Sequence, residues 1–360
     1  MIRTRLLAWF VCLACAAAGT GLVALAGLPS PALFGSLLGG MAFALFAPSA
    51  AVRPRMPHAA ATLAQGIVGV AIGAYVDAAT LAQLAAHGPP ILLVCLATVA
   101  TSLALGSLLT RWGASLATGV FAMISGGATG ITAIARELGA DDRAVSIIQY
   151  LRVVIVLVGM PVVTAVAFDP SDGGTRPAAA GGATPATGSI TAAYILVALV
   201  VGLLLARLLR LPAGAILGPL AVALALSLSG WFPPAVVPSW PQTIAYVVIG
   251  LQVGLRFTRS SLRHIAGLLP AAVGLILTLL VLSALLGLLL VAWVGVTPRD
   301  AYLATTPGGL YAVLAVAVDS GADVSFILTV QVVRLIVVLT TAPLVAHAMR
   351  RRPTPAESGR

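Results

Sequence analysis

Apolar residues run through this chain in long blocks, and polar residues gather in the short gaps between them. The blocks cover roughly 6–28, 31–48, 61–76, 90–110, 114–135 and 143–167, then 190–206, 213–230, 242–255, 267–294, 301–318 and 324–348. Blocks of this length, without the period-two alternation of a membrane β-barrel, predict helices that cross a bilayer. Between the two sets lies 169–189, rich in Gly, Pro, Ala and Thr, which reads as a linker. Arg3 and Arg5 ahead of the first block imitate a signal peptide, but the repeat described next predicts that this block is a membrane helix.

The two sets of blocks repeat. LPSPALFG at 28–35 answers LPAGAILG at 211–218, and Gly69-xxx-Gly73 answers Gly250-xxx-Gly254. Four further landmarks share an offset of 182: Gly126-Gly127 with Gly308-Gly309, Gly139-Ala140-Asp141 with Gly321-Ala322-Asp323, Gln149-xx-Arg152 with Gln331-xx-Arg334, and Pro161 with Pro343. Ordered matches at nearly constant offset predict a tandem duplication. The expected organisation is a first repeat over 1–168, the linker 169–189, a second repeat over 190–349 and a basic tail over 350–360.

Charge sets the topology. Only 8% of the 360 residues are charged, against 60% hydrophobic, and the 20 basic residues are all Arg. That excludes a soluble domain and a disordered chain. The net charge of +10 does not point to nucleic acid, because the arginines stand singly between apolar blocks rather than on one solvated face. Six spans per half would put 11 arginines inside and 7 outside. If the Gly-Gly block of each half instead dips in and returns, five spans per half remain. The second half is then inverted, and 16 arginines lie inside against 2 outside, Arg176 and Arg299. The expected fold is therefore an all-α polytopic integral membrane protein. It has two tandem inverted repeats, about ten transmembrane helices and two Gly-broken or re-entrant segments. Both termini face the cytoplasm of a bacterial inner membrane.

Arg152 and Arg334 fit neither side. Each lies about ten residues into its helix, roughly 15 Å deep at 1.5 Å per residue. An Arg there costs at least about 2.5–3.5 kcal/mol unless it faces a partner or a watery cavity. Gln149 and Gln331 precede them by one turn on the same face. The structural reading is an Arg that ties broken backbone carbonyls together; the functional reading is a ligand for an anionic or polar solute. SGGATG at 125–130 and TTPGGLYA at 305–312 are the second signal. Gly126, Gly127, Pro307, Gly308 and Gly309 break a helix, leaving half-helix N-termini to point at a ligand, with Thr306 offering a hydroxyl. The alternative is close helix packing, which is also the plainer reading of Gly69/Gly73 and Gly250/Gly254. Asp141 and Asp323 read as N-caps. Cys12 and Cys15 read as inert packing. No His, Cys or carboxylate cluster has metal-ligand spacing, so neither a metal nor a cofactor is expected.

These marks together resemble the AbrB family of bacterial membrane proteins: an LP…G segment, a G-xxx-G segment, a PGG-type segment, then GAD followed by Q-xx-R, twice over. The second copy is the cleaner match; the first has Ser125 where the family has Pro. The resemblance implies a label of regulation of gene expression, or alternatively of ammonia monooxygenase. The residues offer no DNA-reading module and no copper or iron ligand set. The expected function is thus a secondary transporter or permease for a small anionic or polar solute, with the halves rocking about a shared site. The alternative is an indirect regulatory role, and an enzyme is the least favoured. The expected partners are the lipid bilayer and that solute, with no direct nucleic acid; a homodimer is one option for the oligomeric state.

Overall fold

Helix punctuation falls where Pro, Gly and hydroxyl residues stand. The computed structural model describes residues 2–28, 30–46, 54, 56–74, 87–124, 128–168, 188–209, 211, 214–230 and 237–350, and every described element is helical. Helix α1 (Ile2–Leu25) turns at Gly27, whose φ of +66° favours glycine, into α2 (Pro31–Phe46). Then come α3 (His58–Gly73), α4 (Gly88–Leu108), α5 (Leu116–Met123), α6 (Ala128–Glu137) and α7 (Asp142–Ala167). The second half holds α8 (Gly188–Leu208), α9 (Gly214–Ser229), α10 (Ser239–Gly254), the short α11 (Arg259–His264), α12 (Leu269–Val294), α13 (Pro298–Thr305), α14 (Leu310–Ser320) and α15 (Val324–Arg350). Ser115 and Thr297, 182 apart, cap α5 and α13 by accepting from the N–H groups of Thr118 and Asp300.

Helices α1, α4, α7, α8, α12 and α15 are long and apolar enough to cross a bilayer, and α2, α3 and α9 are shorter apolar helices. The chain is an all-α polytopic membrane protein. Leu6, Phe10, Leu204, Leu285 and Leu344 stand outward on the periphery, as side chains facing lipid do.

The two Gly-Gly blocks form helical hairpins rather than spans. A straight helix from 298 to 320 would hold its ends roughly 33 Å apart at 1.5 Å per residue. Instead Arg299 Nη1 donates to the Ser320 carbonyl at 2.8 Å, and the Asp323 N–H donates to Asp300 Oδ1 at 2.8 Å. In the first half the Asp141 N–H donates to Thr118 Oγ1 at 3.0 Å, so α7 starts beside the start of α5. Six spans per half would also place Glu137 and Arg350 on opposite faces, yet Arg350 Nη2 donates to Glu137 Oε2 at 2.7 Å. Glu137, Asp141, His264 and Arg350 share one face through such contacts. Ser30 with Asp319, and Phe168 with Tyr302, meet at the other. The α13–α14 hairpin dips in from that second face, and α5–α6 from the first.

Helices from both halves interleave into two layers. One is a row in which α1 packs on α2, α2 on α10, α10 on α3, α3 on α9, and α9 on α8. Its contacts are close because they are built on glycine. A Cβ at Gly250 or Gly254 would lie 2.4 Å from the Leu33 or Leu37 carbonyl of α2. One at Gly69 or Gly73 would lie 2.4 or 2.5 Å from the Ile216 or Leu220 carbonyl of α9. The other layer is a bundle centred on α4 and α12, with α5 and α7 on one side and α13 and α15 on the other. Within it α14 of the second half meets α7 of the first, and α6 meets α15. The layers join where α14 meets α3 and where α11 meets α7. The halves are therefore not two blocks, and rocking of one half against the other does not describe how they pack.

Candidate functional site

The site is built from two long helices and the hairpins they hold. Asp141 caps α7 through the N–H groups of Arg143 and Ala144, and Asp323 Oδ1 accepts from the Phe326 N–H at the start of α15. From these caps α7 runs alongside α5, and α15 alongside α13. Gln149 and Arg152, and Gln331 and Arg334, then come level with the ends of α5 and α13. All four side chains are buried.

Their partners are main-chain carbonyls. Gln149 Nε2 donates to Phe121 O at 2.8 Å, and Arg152 Nη1 to Met123 O at 2.9 Å. Gln331 Nε2 lies 3.1 to 3.2 Å from the Leu303, Ala304 and Thr306 carbonyls. Arg334 Nη1 donates to Thr306 O at 2.9 Å and Thr305 O at 3.3 Å. A helix end leaves its last carbonyls without intrahelical partners and carries partial negative charge. Each Gln-xx-Arg pair satisfies those carbonyls where a helix stops inside the bundle. Charge-assisted bonds worth about 1.5–3 kcal/mol each offset an insertion cost of about 2.5–3.5 kcal/mol. This is the carbonyl-tying arrangement, and it leaves capacity over.

The two copies differ in that capacity. Arg334 Nη2 donates to Gln331 Oε1, closing the second pair on itself. In the first pair Gln149 Oε1 and Arg152 Nε are buried without a hydrogen-bond partner among the described residues. None of the described ion pairs involves Arg152 or Arg334.

The second hairpin brings a helix N-terminus to the same place. Buried Pro307 ends α13, and Gly309 stands at the N-cap of α14 without a side-chain cap. A Cβ at Gly308 would lie 2.8 Å from Val156 Cγ1, one turn beyond Arg152 on α7. Thr305 and Thr306 donate their hydroxyls back to the Ala301 and Tyr302 carbonyls, so Thr306 meets the pair through its main chain. Gly126 and Gly127 lie outside the described residues. The structure thus gathers Gln149, Arg152, Gln331, Arg334, Thr306, Pro307, Gly308 and Gly309. Sequence reasoning missed the carbonyls of Phe121 and Met123, which have no side-chain signature. It also missed Cys95, whose Sγ approaches the Val330 carbonyl at 3.6 Å, one helix away from Arg334.

The chain is similar to known proteins over most of its length. Residues 37–350 match the AbrB family, described as "Transition state regulatory protein AbrB". The chain is 32% identical over 321 residues to "Putative regulator AbrB" of Escherichia coli (strain K12), covering 89% of this chain and 90% of that protein. It is 25% identical over 359 residues to "Uncharacterized protein YhjN" of Bacillus subtilis (strain 168), covering 93% and 91%. With its repeated Gly-Gly and Gln-xx-Arg marks standing inside that match, the chain belongs to the AbrB family of membrane proteins.

Proposed function

We propose that this protein is a secondary carrier for a small anionic or polar solute in a bacterial inner membrane, with both termini cytoplasmic. One observation carries the reading: two buried arginines, one from each half, hold the carbonyls where α5 and α13 end, with no carboxylate among their described partners. Positive charge at membrane depth without a counter-charge calls for an anion. The N-terminus of α14 adds a positive dipole end. Among the described residues the Arg152 Nε–H lacks an acceptor and Gln149 Oε1 lacks a donor, which suits a solute with an acidic oxygen and a hydroxyl or amide. Broken helices at matching places in two halves are the pattern that positions substrate near the bilayer midplane. The hairpin bundle would be the body that moves, carrying the site against the row of helices α1–α2–α10–α3–α9–α8.

The test is a thermal-stability screen of the purified protein against small carboxylates and inorganic anions. At least one should raise the midpoint of wild type and fail to do so in folded Arg152→Gln. Equal responses would sink the reading. A second reading, indirect control of gene expression, is favoured by the regulator names of the family and of the E. coli relative. Transcript profiles of a deletion strain complemented with Arg152→Gln separate the two. Full regulatory rescue by a variant that binds no anion would favour regulation.

A further inference from the structure

Where α7 of the hairpin bundle faces α10 and α11 of the other layer, a cavity of about 570 Å³ opens. That is within the roughly 300–1,000 Å³ of small-molecule sites. Arg136, Arg143 and Tyr150 line it from one layer, Arg256, Ser260 and His264 from the other. Two of these groups already have partners: Arg136 Nε donates to Asp142 Oδ2 at 2.8 Å, and His264 Nε2 lies 2.8 Å from Asp141 Oδ2. Arg143 and Arg256 take part in no described ion pair. Arg256 instead rests over the Tyr150 ring, 4.6 Å from its centroid, which orients the guanidinium without neutralising it. Among the described residues, Arg143 and Arg256 thus face one cavity from opposite layers without an ion-pair partner, with Ser146 and Ser260 beside them and Asp142, paired to Arg136, in the same lining.

We infer that this cavity binds a phosphate-bearing anion. Planar guanidinium forks match the oxygens of a phosphate, which accepts from several donors at once. A phosphate held by both Arg143 and Arg256 bridges the two layers and resists their sliding, so the site is regulatory rather than part of the central pair. The phosphate can be free or the headgroup of an anionic lipid; the chemistry is the same and the test separates them.

Inorganic phosphate is titrated against the full-length protein in detergent, with chloride at matched ionic strength, and the unfolding midpoint is read. A ligand that binds only the folded state raises it. Wild type should respond. Arg143→Gln and Arg256→Gln should lose at least half of the rise, and Arg143→Lys and Arg256→Lys should keep most of it. In nanodiscs, phosphatidylglycerol against phosphatidylcholine gives the lipid arm. A rise with phosphatidylglycerol alone, abolished in the same two Gln variants, assigns the headgroup. The inference is overturned if neither probe moves wild type, or if both Gln variants respond as wild type does. It is also overturned if the response vanishes in Arg152→Gln alone, which would place the anion at the central pair.

Discussion

Arg152 and Arg334 stand at the same point of two long helices, yet they are differently spent. Arg334 divides its donors among the Thr305 and Thr306 carbonyls and the Gln331 oxygen. Arg152 has one described bond, to Met123 O, and an Nε with no partner among the described residues. Arg334→Gln should therefore strand buried acceptors and cost about 1–3 kcal/mol of stability, the penalty of an unsatisfied group. Arg152→Gln should cost less and remove anion binding instead. Denaturant unfolding of both variants, beside the anion screen, checks the split. A polar pair inside an apolar block is conspicuous in a sequence, which is why Gln149, Arg152, Gln331 and Arg334 were legible there. Whether a given Arg keeps a free donor depends on how many carbonyls reach it, and that is set by the backbone of another segment.

At the scale of elements, the hairpins carry the account. Glu137 and Asp319, both exposed and 182 apart, end the two returning helices α6 and α14. With the native cysteines replaced, Glu137→Cys should label only from the cytoplasm and Asp319→Cys only from outside. Labelling from one side would contradict the inversion. The caps make a second prediction. Asp141 is held below the usual carboxylate range: burial raises its carboxyl, but bonds from the Ala144 N–H, His264 and the Arg143 N–H together lower it further. A depressed carboxylate contributes stability that is fully present above about pH 4 and fades as pH falls through its lower folded value. Asp141→Asn keeps the cap and should flatten that acid limb in a stability-against-pH profile. The breaks and caps were legible because Gly, Pro and Asp act on their own backbone. The apolar blocks 114–135 and 301–318 each hide two helices, since hydrophobicity does not register a reversal of direction.

Across the whole molecule, the chain order and the packing order differ. Each half sends its first three helices to the row and its last four to the bundle, so α10 lies between α2 and α3. Sequence periodicity names the faces of a helix, not its neighbours, and neither the interleaving nor the seam cavity could be read from it. The arrangement places both arginines in one layer, which is the body that moves in the proposed carrier. The most direct test is counterflow uptake into proteoliposomes of the anion that most stabilises the purified protein. Wild type should accumulate it above protein-free vesicles, and Arg152→Gln should lose at least tenfold of that uptake while keeping its fold. Equal uptake by Arg152→Gln, or none by wild type, would contradict a carrier built on the paired arginines.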